Sequence, residues 1–277
     1  MKSSAAHISC AEFREIIYSN YEKAGRTFPW RENTDPWGIM VSEFMLQQTQ
    51  TERVITYWNR WMKLWPSPAD LAGASMEEAL REWSGLGYNR RGRFLKDCAR
   101  RITAEHGGRV PDTPGKLLPL PGIGPYTAGA IPCFAYNYPS VFIETNIRAA
   151  VLHFFFKDQE AVKDGEIFPI LESCLDRKNP RKWYWALMDY GAALKQVTVN
   201  PNRRSAHYTR QSKFEGSFRQ LRGAVVKTLA SQGKAGIKEL HERSGVEEED
   251  LYKVLEVLEK EMMVAEEEGI YRINEES

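Results

Sequence analysis

Apolar residues recur at helical spacing along most of the chain. Over 12–24, Phe13, Ile16 and Ile17 share one helical face. The stretch 37–65 holds one or two helices and stops at Pro66, which cannot continue a helix. Ser75-Met76-Glu77-Glu78 has the form of a capping box and opens another helix. A basic helix is expected over 88–105, and helical patterns return at 145–156, 167–174 and 183–195. The polar segment 200–217, rich in Arg, Ser and Lys, reads as a linker or loop. Helices follow at 218–231, 236–244 and 247–261. The last stretch, 264–273, with Gly269 between polar and β-branched residues, reads as a short hairpin. Three helices and a hairpin make a winged-helix pattern. The expected fold is therefore mainly α, with a small C-terminal α+β domain over 216–277.

Composition narrows this picture only slightly. Hydrophobic content of 42% supports an ordinary core in 277 residues. No run of about twenty apolar residues is present, so no membrane span is expected. The first ten residues lack the apolar region of a signal peptide, which points to the cytoplasm. Net charge is only +1, but it is unevenly spread. Residues 216–277 hold 9 basic and 14 acidic side chains, and the remainder holds 29 and 23. A basic body with an acidic appendage fits a nucleic-acid partner for the body, and the tail is open to DNA contact through Arg222, Lys227 or Lys234, to packing on the body, or to a protein partner. Cys10, Cys98, Cys133 and Cys174 form no close doublet, and they read as reduced packing residues. His153-Phe154-Phe155-Phe156 reads as packing rather than base stacking.

Chemistry concentrates in a few blocks. Leu120-Pro121-Gly122-Ile123-Gly124-Pro125-Tyr126-Thr127 reads as a helix-hairpin-helix. Leu120 is expected to close one helix, Gly122 and Gly124 to take positive φ, and Thr127 to lie at the start of the next. Bare backbone N–H groups at such a turn can approach a phosphate, giving a grip independent of base sequence. Upstream stands Val41-Ser42-Glu43-Phe44-Met45-Leu46-Gln47-Gln48-Thr49-Gln50, and downstream Ile143-Glu144-Thr145-Asn146-Ile147-Arg148. In this order and spacing the blocks resemble the helix-hairpin-helix (HhH-GPD) DNA glycosylases, and among them the MutY-type adenine glycosylases. Phe28-Pro29-Trp30-Arg31, Gly85-Leu86-Gly87-Tyr88 and Ala186-Leu187-Met188-Asp189-Tyr190-Gly191-Ala192 extend the resemblance over roughly 12–195.

The resemblance implies a two-subdomain helical fold with a cleft between. One subdomain would be 31–135, the other 1–30 with 136–215, followed by the winged-helix-like 216–277. It also implies base excision, in which the leaving base is protonated and the oxocarbenium-like sugar meets a negative charge. Glu43, among Ile39, Met40, Val41, Phe44 and Met45, is the candidate acid, with desolvation expected to raise its pKa. Glu144 stands where the family has Asp, with Asn146 kept two residues on. The extra methylene shifts the charge, and the same residue also suits a helix cap or a salt bridge to Arg148. Tyr126 occupies the position at which strand-cutting relatives carry a Schiff-base lysine, so no β-lyase step is expected. Gln47, Gln48 and Tyr88 match residues that enter the helix near the lesion. Leu120, Gly122, Ile123, Gly124 and Thr127 belong to the phosphate-gripping hairpin, whose carbonyls could hold a monovalent cation. Arg90 and Arg91, and Arg203 and Arg204, are candidate phosphate contacts or solvated basic surface.

The family's usual four cluster cysteines are absent after 192, where the chain reads Leu194-Lys195-Gln196-Val197-Thr198-Val199-Asn200-Pro201. No 4Fe–4S cluster is expected. The tail is also too short for the family's 8-oxoguanine-recognition domain. These departures and Glu144 count against a strict MutY reading, and Tyr126 with a remodelled pocket tilts the expected substrate toward an oxidised or deaminated pyrimidine such as 5-hydroxyuracil. Adenine opposite 8-oxoguanine or G is the alternative, and a non-catalytic DNA-binding regulator is the reading of another class. A monomer acting on duplex DNA at the nucleoid is expected.

Overall fold

The computed structural model describes residues 8–209 and 213–276. The helices of the first half are α1 (Cys10–Ala24), α2 (Pro29–Glu32), α3 (Pro36–Leu46), α4 (Thr51–Leu64), α5 (Pro68–Gly73), α6 (Met76–Trp83) and α7 (Arg90–His106). Then come α8 (Pro114–Leu117), α9 (Pro125–Tyr136), α10 (Thr145–Phe155), α11 (Asp164–Cys174) and α12 (Pro180–Val197), with a 3-10 turn at Pro201–Arg204. The C-terminal part is α13 (Phe218–Gln232), β1 (Ala235–Gly236), α14 (Ile237–Ser244), α15 (Glu248–Lys260), β2 (Val264–Glu267) and β3 (Ile270–Ile273). The chain is mainly α, as expected, and the Ser75 capping box forms with Glu78. The described residues fall into two compact units.

The first unit comprises 8–36, Asp112–Leu118 and 123–209. Phe13 of α1 meets Phe154, Phe155 and Trp183 edge-on, with ring centroids 5.1, 5.1 and 5.6 Å away. The 153–156 run is therefore packing. Asp189 of α12 is buried and accepts from the Arg26 backbone N–H at 2.8 Å and from both Nη atoms of Arg31 at 2.8 and 2.9 Å. The two motifs matched at 28–31 and 186–192 thus hold each other. Cys10 and Cys174 are not reduced as expected: a disulfide joins the start of α1 to the end of α11. Cys98 and Cys133 are free and buried. The start of the expected linker is also built in. Asn202 is buried and donates to the Thr145 carbonyl at 2.9 Å, and Val162 and Ser205 form a parallel bridge.

The second unit comprises Trp37–Pro111, Pro119–Gly122 and 213–276. Trp61 packs on Trp65 and Trp83 at 4.6 and 5.5 Å. The C-terminal segment shares its core with α6. Met76 and Leu80 lie in one cluster with Val225, Leu229, Leu251 and Val254. Glu275 accepts from the Met76 and Glu77 N–H groups at 2.6 and 3.0 Å, adding a second cap to α6. The sheet has the order β1-β3-β2 and is antiparallel throughout. Glu268 and Gly269, both at positive φ, form the two-residue turn that a tight hairpin favours. The winged-helix pattern is therefore present.

The Asp189 cluster carries a pH signature. Burial would raise its carboxyl, but the Arg31 guanidinium and the Arg26 backbone and side chain outweigh burial and hold it below the usual range. A lowered folded pKa means stability that is present above the unfolded value, about 3.9, and lost as pH falls through the folded one. Asp189→Asn should cost about 3–5 kcal/mol at pH 7, because it strands the buried Arg31 guanidinium. Denaturation curves should show this gap closing below about pH 3.9; a gap independent of pH would contradict the assignment.

Candidate active site and nucleic-acid interface

Helix α3 is apolar on nearly every side, and Trp37, Ile39, Met40, Val41, Phe44 and Met45 are all buried. Glu43 is enclosed with them at 4% exposure. A carboxyl is seldom placed in such a setting without a task. The helix ends at Leu46, and its last carbonyls need partners. Arg91 supplies them from α7. Its Nη1 donates to the carbonyls of Phe44, Met45 and Gln47 at 2.8, 2.9 and 2.6 Å. Its Nη2 donates to Thr49 Oγ1 and to the Leu86 and Gly87 carbonyls at 3.0, 3.2 and 3.0 Å.

One guanidinium therefore ties together the end of α3, the turn bearing Gln47 and Gln48, and the loop bearing Tyr88. Gln48 and Tyr88 both have positive φ, 56° and 50°, a costly backbone for residues with side chains. Gly85 serves the same loop: at φ +102°, a Cβ there would also overlap the Tyr57 hydroxyl. Arg91 is 7% exposed, and desolvation lowers its pKa to about 10, which leaves it charged at neutral pH. The sequence points it at phosphates, but its Nη donors are spent within the protein, five of the six acceptors being backbone carbonyls. Arg90, next to it, is exposed and lies over the Phe94 ring.

The hairpin differs in detail from expectation. The preceding helix is only Pro114–Leu117, so Leu120 sits in the turn and closes no helix. Gly122 has φ +70°, and a Cβ there would overlap the Phe94 ring. Gly124 is extended at φ −91° and caps α9, so it needs no left-handed freedom. Space around its missing Cβ is open, as a close phosphate would require. Leu120, Ile123 and Thr127 are buried, so their side chains serve packing and any grip here is through backbone.

Glu144 and Asn146 lie in the first unit with Tyr126. Glu144 is the N-cap of α10: its Oε1 accepts from the Asn146 and Ile147 N–H groups at 2.7 and 2.8 Å. Its Oε2 accepts from Asn146 Nδ2 at 3.2 Å. Arg148 pairs with Asp164 at 2.8 Å instead. Burial pushes the Glu144 carboxyl up, against the pull of the two backbone donors and of Lys195 and Arg148. Lys195 is held down by its own burial and drawn up by Glu144. Sequence reasoning missed Lys195, because nothing local marks it. Tyr126, at the start of α9, lies edge-on to Phe142 at 5.7 Å. Arg203 is exposed. Arg204 does not face phosphate, since it donates to the carbonyls of Leu152, Phe156 and Lys157 at the end of α10.

Position 191 fixes how α12 meets the start of α10. A Cβ at Gly191 would fall onto the Asn146 carbonyl. The glycine in the 186–192 motif thus sets the height of the Glu144 cap. Apart from that motif, its sequence signal is a glycine inside a helix.

A four-thiolate cluster does not fit the cysteines present. Two of the four are bonded to each other, and among the described residues no three His, Cys, Asp or Glu side chains converge to hold a metal.

The family model described as HhH-GPD superfamily base excision DNA repair protein matches residues 41–174. The adenine DNA glycosylase of Mycolicibacterium smegmatis is 45% identical over 232 residues, covering 77% of this chain and 78% of that one. Its Mycobacterium tuberculosis counterpart is 46% identical over 132 residues, and that match spans 47% of this chain but only 43% of the relative. Among solved structures, a thermostable thymine-DNA glycosylase superimposes with a TM-score of 0.61 at 22% identity, covering 69% of this chain and 90% of that one. An endonuclease III–DNA complex gives 0.55 at 16%, covering 65% and 85%.

Gly191→Ala should destabilise the protein by about 1–3 kcal/mol, the usual cost of overpacking. Chemical denaturation measures it, and unchanged stability would show that α10 yields without cost.

Proposed function

We propose that this chain, which belongs to the HhH-GPD superfamily of base excision DNA repair proteins and to its MutY-like branch, is a monofunctional glycosylase that removes mispaired adenine from duplex DNA. The observation that carries this is Glu43: a carboxyl buried in an apolar helix, whose end one guanidinium locks to Gln47, Gln48 and the Tyr88 loop. In this reading the base is flipped out of the stack. Glu43 protonates it as the N-glycosidic bond breaks and then takes a proton from the attacking water. Glu144, held at the α10 cap, keeps by resemblance the family's role of a negative charge for the oxocarbenium-like sugar. Asn146 braces that carboxylate. Gln47, Gln48 and Tyr88 fill the vacated stack, and the 122–124 backbone holds a phosphate.

Adenine displaces the pyrimidine expected from sequence. That expectation rests on Tyr126 and a pocket remodelled around Glu144, with the missing cluster cysteines and the short tail counting against a strict MutY reading. Relatives 45–46% identical over parts of this chain are named adenine DNA glycosylases. Tyr126 offers no amine, so the sugar is left as an abasic site without strand cleavage. The chemistry is hydrolytic and proceeds without an iron–sulfur cluster. No helix among the described residues is long and apolar enough to cross a membrane.

Single-turnover base release from a duplex panel tests this reading. The panel pairs A with 8-oxoguanine and with G, and U, T and 5-hydroxyuracil with G. The expected result is release of adenine only, with strands breaking only after alkali. Glu43→Gln should slow release by about 10²–10⁴-fold, the usual share of general acid catalysis. Release from a pyrimidine duplex alone, cutting without alkali, or full activity in Glu43→Gln would each refute it.

A further inference from the structure

We infer that the C-terminal domain is a working part of the DNA surface, and that α13 lends Arg219 and Lys227 to a cationic cleft that takes the sugar–phosphate backbone of the bound duplex. The inference rests on the reading of the protein as a DNA glycosylase. The cleft lies within the second unit and has a volume of about 940 Å³. One wall carries Gln47, Gln48, Tyr88 and Arg90, and the other is α13. Six cations line it against one carboxylate, Glu261, which is already paired with Arg222.

The acidic balance of the tail conceals this face. Arg219, Arg222 and Lys227 all stand on α13 and line the cleft, whereas the acidic runs 247–250 and 266–268 lie on α15 and the hairpin. Arg53, Arg90 and Lys227 are exposed and enter no ion pair among the described residues. Arg219 is half-buried between two aromatic rings, 5.2 Å from the Tyr88 centroid and 5.6 Å from that of Phe214, and it donates to the Tyr88 hydroxyl. The C-terminal domain thus reaches the very side chain proposed to enter the duplex. It is also fixed there: it shares a core with α6, and Glu275 caps that helix. Exposed cations on a rigid wall, continuous with Gln47, Gln48 and Tyr88, match phosphodiester oxygens lining one strand.

The test uses the full chain and a fluorescent duplex holding one A:G mispair, in the Glu43→Gln background so that the duplex stays intact. Affinity is read across a salt series. Removing one cation that neutralises a phosphate lowers the slope of log K against log salt by about 0.9. Lys227→Ala combined with Arg53→Ala should lower it by about 1.8. Arg219→Ala should lower it as well, and Arg219→Lys, which keeps the charge, should restore it. Lys238→Ala, on α14 outside the cleft, should leave it unchanged.

Unchanged slopes in the cleft variants would overturn the inference. So would unchanged slopes together with lost binding of poly-glutamate, which would give the cleft to an acidic protein segment. The two readings fail separately. If the unmutated chain releases adenine but the slopes do not move, only the cleft assignment falls. If the slopes move but no base is released, the cleft binds DNA and the catalytic reading falls.

Discussion

Short helices leave carbonyls without partners, and this protein meets several of them with buried or half-buried cations. Arg91 closes α3, Lys96 closes α5, Arg204 closes α10, and Arg181 donates to the Ala135 carbonyl near the end of α9. Each cation meets the negative end of a helix dipole, so the charge is compensated where it is buried. Arg91 is the most consequential of these. Six acceptors share the four N–H donors of its two Nη atoms, and they come from two chain segments, 44–49 and 86–87, that approach one another only in the fold. A buried guanidinium costs several kcal/mol in lost hydration, and the acceptors on its two Nη atoms offset it. The arrangement is therefore close to all-or-none: the end of α3, the glutamine turn and the Tyr88 loop stand together or not at all.

The first unit solves the matching problem with backbone proximity. Gly191 lets α12 press on the first turn of α10, Asn202 ties down the Thr145 carbonyl, and Asp189 anchors α12 to the 28–31 motif. Glu144 sits on this platform as an N-cap, its carboxylate held by two backbone donors. A longer side chain than the family's Asp is thus given one defined position.

Much of the fold is legible in the sequence because helical periodicity is local. The helices at 10–24, 145–155 and 218–232 lie within a few residues of their expected limits. The type of turn at Glu268-Gly269 also follows from local chemistry. What cannot be read depends on partners distant along the chain. Arg91 and Arg204 look like surface cations, yet Arg91's acceptors lie up to 47 residues away and Arg204's up to 52. The Cys10–Cys174 pair is separated by 164 residues and carries no spacing signal. Gly124 reads as a left-handed turn residue from its company, but Gly122 alone takes that conformation within the hairpin. The sharing of a core between α6 and the tail has no local trace either. Of the candidate site residues, Glu43 stands out through its apolar neighbours, whereas Lys195 and Arg219 stand out through nothing.

The most direct test of this account is the single-turnover adenine release rate of Arg91→Lys, measured beside its thermal stability. Lysine keeps the charge, but its three donors cannot span six acceptors. If Arg91 sets the geometry around Glu43 and Tyr88, release should slow by about 10²-fold, as a displacement near 1 Å can cause, while the variant still folds. A folded Arg91→Lys protein that releases adenine at the unmutated rate would contradict it.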